Sequence, residues 1–425
     1  MPHPIAAPGL ALTAKSDARA PTVPVNEQAI MVTSASGSSV GRIRDVRLDL
    51  FRVLAMLIIL IAHIPDNSWN AWIPARFGFS SGAEMFVFCS GFASAMAFGS
   101  VFQRHGLAIG AARIAYRIWQ LYWAQIALFL VIAAITLSAI KFAPHGAYLE
   151  FLSLDWFLAS PGDGLLALLT LRYIPNLFDM LPMYMAILAS VPLAMMLARI
   201  SPRLVMTASV GLWLIVQITG YNLSSRPNSD LVWYFNPLAW QLLFYTGFSF
   251  GMGWLPAPQL GERRLTTMSA AIVLLSIPLT FWAFVDNIPL LDHLRALLIA
   301  DTRPTSLHIV RYAHFLALAY LAVSFVDRYR RELAEEPRLK PIIRIGQQTL
   351  AVFLSSIAIA WTLGIALDIF GRDAFNVALA NLTGMTCLFL VAYVVAWFKR
   401  QPWKERATPA RRNSEISRIA MQPAE

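Results

Sequence analysis

The chain of 425 residues reads as an all-α, polytopic integral membrane bundle of about ten transmembrane helices, with both termini in the cytoplasm. Three observations point there. Hydrophobic residues make up 57% of the chain and charged residues only 14%, whereas soluble domains carry about 25% charged residues. The apolar residues gather into runs near the length of roughly 20 that crosses a bilayer, centred at Met56, Cys89, Leu130, Ile187, Trp213, Phe248, Leu274, Leu318, Ile357 and Phe389. Prolines at 65, 175, 202, 237, 256, 304 and 341 fall at or beside the run ends, where helix geometry stops.

The net charge of +10 would suggest nucleic acid as a partner of a soluble protein. Here the cations lie between apolar runs, so the bilayer is the partner and nucleic acid is excluded. With the N-terminus inside, inner loops hold most of them, including Arg104, Arg113, Arg117, Arg263, Arg264 and Arg344; outer loops hold few, such as Arg76, Arg172, Arg226 and Arg372. That asymmetry puts both termini in the cytoplasm. Residues 1–43, rich in Ala, Pro, Ser and Thr, read as a disordered tail rather than a signal peptide. Residues 44–399 form the membrane domain, and 400–425 a basic disordered tail. Cys89 and Cys387 lie in apolar runs and read as packing residues; no metal site is expected. In the outer loop 141–178, the patch GLLALLTL is too short to cross and reads as dipping into the membrane. No internal repeat of the transporter kind is visible.

The first span, RLDLFRVLAMLIILIAHIPDN, carries the ionisable residues that need a reason. Arg52 and His63 are eleven residues apart, which places them about 20° apart around a helix and roughly 16 Å apart along it. They share a face. Asp45 and Asp49 join that stripe, and Asp49 is three residues from Arg52, within pairing reach. The result is one polar seam, with its acid–arginine end at the cytoplasmic boundary and His63 toward the outside. Interfacial snorkelling explains Arg52 and Asp49 as readily as function does. For His63 a cavity or a polar partner is needed. The second span begins with Glu84 on the same side and carries Gly91, Ala95 and Gly99 at four-residue spacing, a small-residue seam for close helix approach. Glu84 meeting His63 would fix its tautomer and make a proton-transfer site.

The segments RDVRLDLFRVLAMLIILIAHIPDN, FGFSSGAEMFVFCSGF, RIAYRIWQLYW, LPMYMAILASVPL, WYFNPLAWQLLFYTG and IGQQTLAVFLSS together resemble the OpgC-type succinyltransferases of osmoregulated periplasmic glucans, a branch of the acyltransferase-three superfamily of membrane enzymes. The likeness runs from about residue 45 to about 398. It implies a catalytic histidine at His63 with an arginine at Arg52, a glutamate at Glu84, and an acyl-donor pair at Arg113 and Arg117. Where the family pattern has Gly after the arginine, Asp before the histidine and Asp in the GFS stretch, this chain has Val53, Ala62 and Ser81, which leaves Glu84 as the main partner for His63.

On that resemblance, acyl-CoA, with succinyl-CoA as the expected co-substrate and no permanently bound cofactor, would meet Arg113, Arg117 and Arg344 from the cytoplasm. His63 would act as general base on a hydroxyl of a periplasmic glucan or other saccharide. His308, Arg311 and His314 follow one another at i, i+3 in the eighth span; Arg311 and His314 are candidates for the succinyl carboxylate. Asn236, Trp240 and Gln241 are candidates for the acceptor, although an interfacial aromatic belt accounts for the tryptophans. Self-association is compatible with the sequence. The competing class is a proton-coupled transporter or flippase of a saccharide or small anion.

Overall fold

Helix α1 (Val46–His63) is the polar-seamed first span, and it stops where Pro65 removes a backbone donor. The computed structural model describes residues 46–142, 147–298, 305–329, 332–333, 336 and 339–404. The expected tail 1–43, Asp45 and most of the tail 400–425 lie outside them. Among the described residues every named element is a helix, and the only strand-like contact is an isolated bridge between Ser224 and Val232. Helix α2 (Gly82–Ser94) passes through one π turn, Ala95–Gly99, into α3 (Ser100–Ala139). Gly106, at φ 81°, breaks α3 near its start, a backbone state that glycine adopts at low cost. After three short helices (Ala147–Phe151, Leu154–Ala159, Pro161–Leu169) come α4 (Met180–Ile200), α5 (Pro202–Thr219), α6 (Pro237–Met252), α7 (Arg263–Thr280), α8 (Ile309–Arg328), α9 (Lys340–Gln347), α10 (Thr349–Phe370) and α11 (Ala374–Lys399).

Each of the ten predicted centres falls inside one of these helices. By length and apolarity, six helical stretches qualify as candidate spans among the described residues, and one of them, Gly82–Ala139, joins two predicted spans across the break at Gly106. Helices α1, α6 and α7 are not among the six. Helix α1 carries Arg47, Asp49 and Arg52 within its 18 residues. Helix α6 has 16 residues, about 24 Å at 1.5 Å per residue, short of a hydrocarbon core of about 30 Å. Helix α6 is packed inside the bundle, buried without interruption from Ala239 to Ser249.

The small-residue seam of α2 does bring two backbones together, but its partner is α6 rather than α1. A Cβ on Gly91 would lie 2.0 Å from the Phe244 carbonyl oxygen, and one on Gly247 would lie 2.2 Å from that of Phe88. Helix α1 meets α2 at Gly82 and meets α9 at Gly346, where a Cβ would lie 2.2 Å from the Asp49 carbonyl oxygen. The patch GLLALLTL begins inside the helix Pro161–Leu169, which lies against α3: the Tyr122 hydroxyl donates to the Leu169 carbonyl at 2.8 Å.

Candidate functional site

His63 is the last residue of α1, and its Nδ1 lies 2.7 Å from the Ile59 carbonyl oxygen. A carbonyl only accepts, so Nδ1 carries the hydrogen and Nε2 of the neutral ring keeps its lone pair. The half-buried ring lines a cavity of about 600 Å³, within the range that holds small ligands. Ile58, Ile59 and Ala62 of α1 form one wall; Arg76, Ser80 and Ser81 come from the approach to α2, Asn176 and Asp179 from the approach to α4, Tyr234 from the approach to α6, and Arg311 from α8.

Glu84 does not meet His63; no hydrogen bond joins them among the described residues. Its Oε2 accepts the Ser81 N–H and hydroxyl, both at 2.7 Å, while Oε1 accepts Arg311 Nε at 2.9 Å and Nη2 at 2.6 Å. The reason is positional. Glu84 is the third residue of α2, where a glutamate folds back on the helix start as a capping box, and the fully buried carboxylate takes the guanidinium that α8 supplies. The Ile59 carbonyl orients the imidazole instead. Arg311 lines the cavity with its charge already matched, and buried His314 holds Ser80 through Nδ1 at 2.8 Å.

Two further groups in the cavity were not singled out by the sequence. Arg76 is exposed, and its Nε donates to the Asn70 carbonyl at 3.2 Å. Asp179 is buried beside the first turn of α4 and accepts the Tyr234 N–H at 3.0 Å. Loss of solvent pushes its carboxyl up to about 7, against the smaller opposing pull of the Tyr234 amide. An acid directly before an apolar helix is a legible helix-start signal, but its burial depends on Tyr234, which is 55 residues away.

At the other end of α1, Arg52 pairs with Asp49 at 3.7 Å, as the i, i+3 spacing predicts, and reaches the Cys89 carbonyl at 3.5 Å. Arg52 does not line the His63 cavity. A second, apolar cavity of about 290 Å³ runs between α1, α2 and α8 from Arg47 to Pro74 and shares Ile58 with the first. Arg113 stands 6.0 Å from the Phe98 ring centre, Arg117 donates to Gln120, and Arg344 stands 5.2 Å from the Tyr393 ring centre; none of the three lines the His63 cavity. Nor do Asn236, Trp240 and Gln241, which the sequence offered for the acceptor. Asn236 caps α6 through Leu238 N–H, Trp240 is fully buried against Phe235, and Gln241 exchanges hydrogen bonds with Ser209. The same sequence stretch reaches the cavity through Tyr234 and Phe235.

No curated protein and no solved structure matches the chain. The sequence model of the family described as OpgC protein matches residues 44–400. That range takes in every helix of the bundle and all the residues of the cavity, and on it the chain belongs to the OpgC protein family.

Proposed function

We propose that the chain is a multi-pass inner-membrane O-acyltransferase that moves a succinyl group from cytoplasmic acyl-CoA to hydroxyls of a periplasmic glucan, with His63 as general base. The observation that carries the reading is the geometry of His63: Nδ1 lies 2.7 Å from the Ile59 carbonyl oxygen, and the ring, whose Nε2 keeps its lone pair in the neutral form, lines a ligand-sized cavity. Family membership supports a transferase acting on glucan. The sugar hydroxyl gives its proton to Nε2 as its oxygen attacks the thioester carbonyl, the C–S bond breaks, and the departing thiolate takes that proton from Nε2, which restores the neutral imidazole.

The donor would approach from the Arg52 end of α1, where Arg113, Arg117 and Arg344 offer cations to its phosphates, and its arm would follow the apolar cavity toward Ile58. Arg311 and Arg76 are the cations available to the succinyl carboxylate. Arg76 is the better specificity determinant because Arg311 already holds Glu84. Replacing Arg76 with Gln is expected to lower succinyl transfer about ten-fold more than acetyl transfer, the effect of losing about 1.4 kcal/mol; equal losses would reject the role.

The test is to mix purified full-length protein with acyl-labelled succinyl-CoA and linear glucan. Ester-linked label on the glucan is the expected result. Movement of glucan across proteoliposomes without acylation would overturn the enzyme reading in favour of a transporter.

A further inference from the structure

We infer that the segment from Phe281 to Leu298 is an anchor in the membrane plane, docked on the headgroup–acyl boundary of the lipid, and that it holds one wall of the His63 cavity in place. This anchor does not depend on acyl transfer, and neither does its test.

Lipid contact begins on α7. A helix in water buries its leucines and exposes its serines; α7 does the reverse. Its buried residues are Ser269 and Ser276, while Met268, Ile272, Leu274 and Leu275 are exposed. A contiguous apolar face of that kind on a membrane protein is covered by lipid. At the end of α7 remote from Arg263 and Arg264 the chain passes through Phe281 and the short helix Trp282–Val285 into the helix Pro289–Leu298.

That helix has one apolar arc. At about 100° per residue, Leu290, Leu291, Leu294, Leu297 and Leu298 fall within about 120° of one another, and Asp292, His293, Arg295 and Ala296 occupy the rest. Leu290 is 64% exposed and Leu297 69%, and no residue of the helix is buried among the described residues. Ten residues span about 15 Å, half of a hydrocarbon core of about 30 Å. The arc therefore meets lipid from the surface, with the helix lying along it. The polar face neutralises itself, because Arg295 Nη2 pairs with Asp292 Oδ1 at 2.6 Å. Basic amphipathic helices select anionic lipid; here apolar burial drives the docking and headgroup charge is not selected.

Aromatic rings mark the same level and link the anchor to the cavity. Trp72, Trp282 and Phe284 are exposed, and tryptophan gathers at membrane–water interfaces. Phe281 stacks on Phe77 at 4.9 Å with 17° between the planes, and its ring centre lies 6.1 Å from that of Trp72. The stretch that carries Trp72 and Phe77 also supplies Asn70, Ile73, Ala75 and Arg76 to the cavity wall. Lipid that holds the anchor thereby fixes Arg76 through ring packing.

The test uses full-length protein with Cys89 and Cys387 replaced by Ala, in phosphatidylcholine nanodiscs. An environment-sensitive fluorophore is attached at Leu297→Cys or, across the helix, at Asp292→Cys. Lipid carrying a nitroxide on a shallow acyl carbon is expected to remove most of the emission of the Leu297→Cys label and aqueous iodide little; for Asp292→Cys the order reverses. Exchanging part of the phosphatidylcholine for phosphatidylglycerol should leave both results unchanged. Iodide reaching both labels equally, or lipid quenching that needs phosphatidylglycerol, overturns the docking. A Leu297→Cys label shielded from both quenchers overturns it in favour of contact with a second copy of the chain. A spin label at Arg76→Cys should gain mobility when Phe281→Ala is added, while one at Asp163→Cys does not change. Equal Arg76→Cys mobility with and without Phe281 overturns the link to the cavity.

Discussion

At the scale of single residues, the opposed roles of two carboxylates organise the site. Glu84 is fully buried and charge-paired, and it joins α2 to α8 through Arg311, 227 residues away. Breaking such a pair by removing one partner leaves the other charge buried, a loss of about 3–5 kcal/mol. Arg311→Leu is therefore expected to lower the Tm of the detergent-solubilised protein markedly, and Arg311→Lys to recover part of it; an unchanged Tm in the leucine variant would contradict the pairing. Asp179 is buried and makes no ion pair among the described residues. Its folded value of about 7 lies above the ordinary 3.8, so the folded chain holds the proton more tightly than the unfolded one throughout that window. Stability therefore falls as pH rises from 3.8 to about 7. Asp179→Asn removes that slope, and its Tm relative to wild type should climb across the window; parallel curves would show that Asp179 is not desolvated.

At the scale of elements, the decisive contacts are backbone approaches that only glycine allows. Gly91 of α2 and Gly247 of α6 each face a carbonyl of the other helix. Gly91→Val is expected to force those helices apart, costing about 1–3 kcal/mol or more, visible as a lower Tm or loss of a monodisperse peak. Gly211→Ala in α5, with no atom within 4 Å of the added carbon, serves as the tolerated control. The far end of α1 is fixed by polar links. Arg372 donates to the carbonyls of Pro65 and Asp66, and Asn67 and Asn381 exchange amide hydrogen bonds at 2.9 and 3.0 Å. These links hold the segment that carries His63 against α10 and α11.

The elements were largely legible because apolar runs and prolines mark helices one at a time. The partners were not. Four-residue spacing announced that α2 has a close-packing face but not which helix meets it, since every span offers a similar apolar surface. In the same way, periodicity placed Glu84 and His63 toward the same end, while the local rule that folds an early-helix glutamate onto its own cap, together with a distant arginine, decided its bonds. The i, i+3 pair of Asp49 and Arg52 was legible because both members lie on one helix.

At the scale of the whole molecule, the proposed function needs the acceptor side of the His63 cavity and the donor cations on opposite sides of the membrane. In a background with Cys89 and Cys387 replaced by Ala, Asp163→Cys is expected to react with a membrane-impermeant maleimide added to intact spheroplasts. Arg263→Cys should react only after the membrane is opened. Both sites labelling from the same side would overturn the transmembrane division of labour. The most direct measurement of the central claim is transfer of labelled succinyl from succinyl-CoA to glucan by His63→Ala protein whose Tm matches wild type. General-base catalysis predicts a rate about a hundred- to ten-thousand-fold lower, and a rate equal to wild type would contradict it.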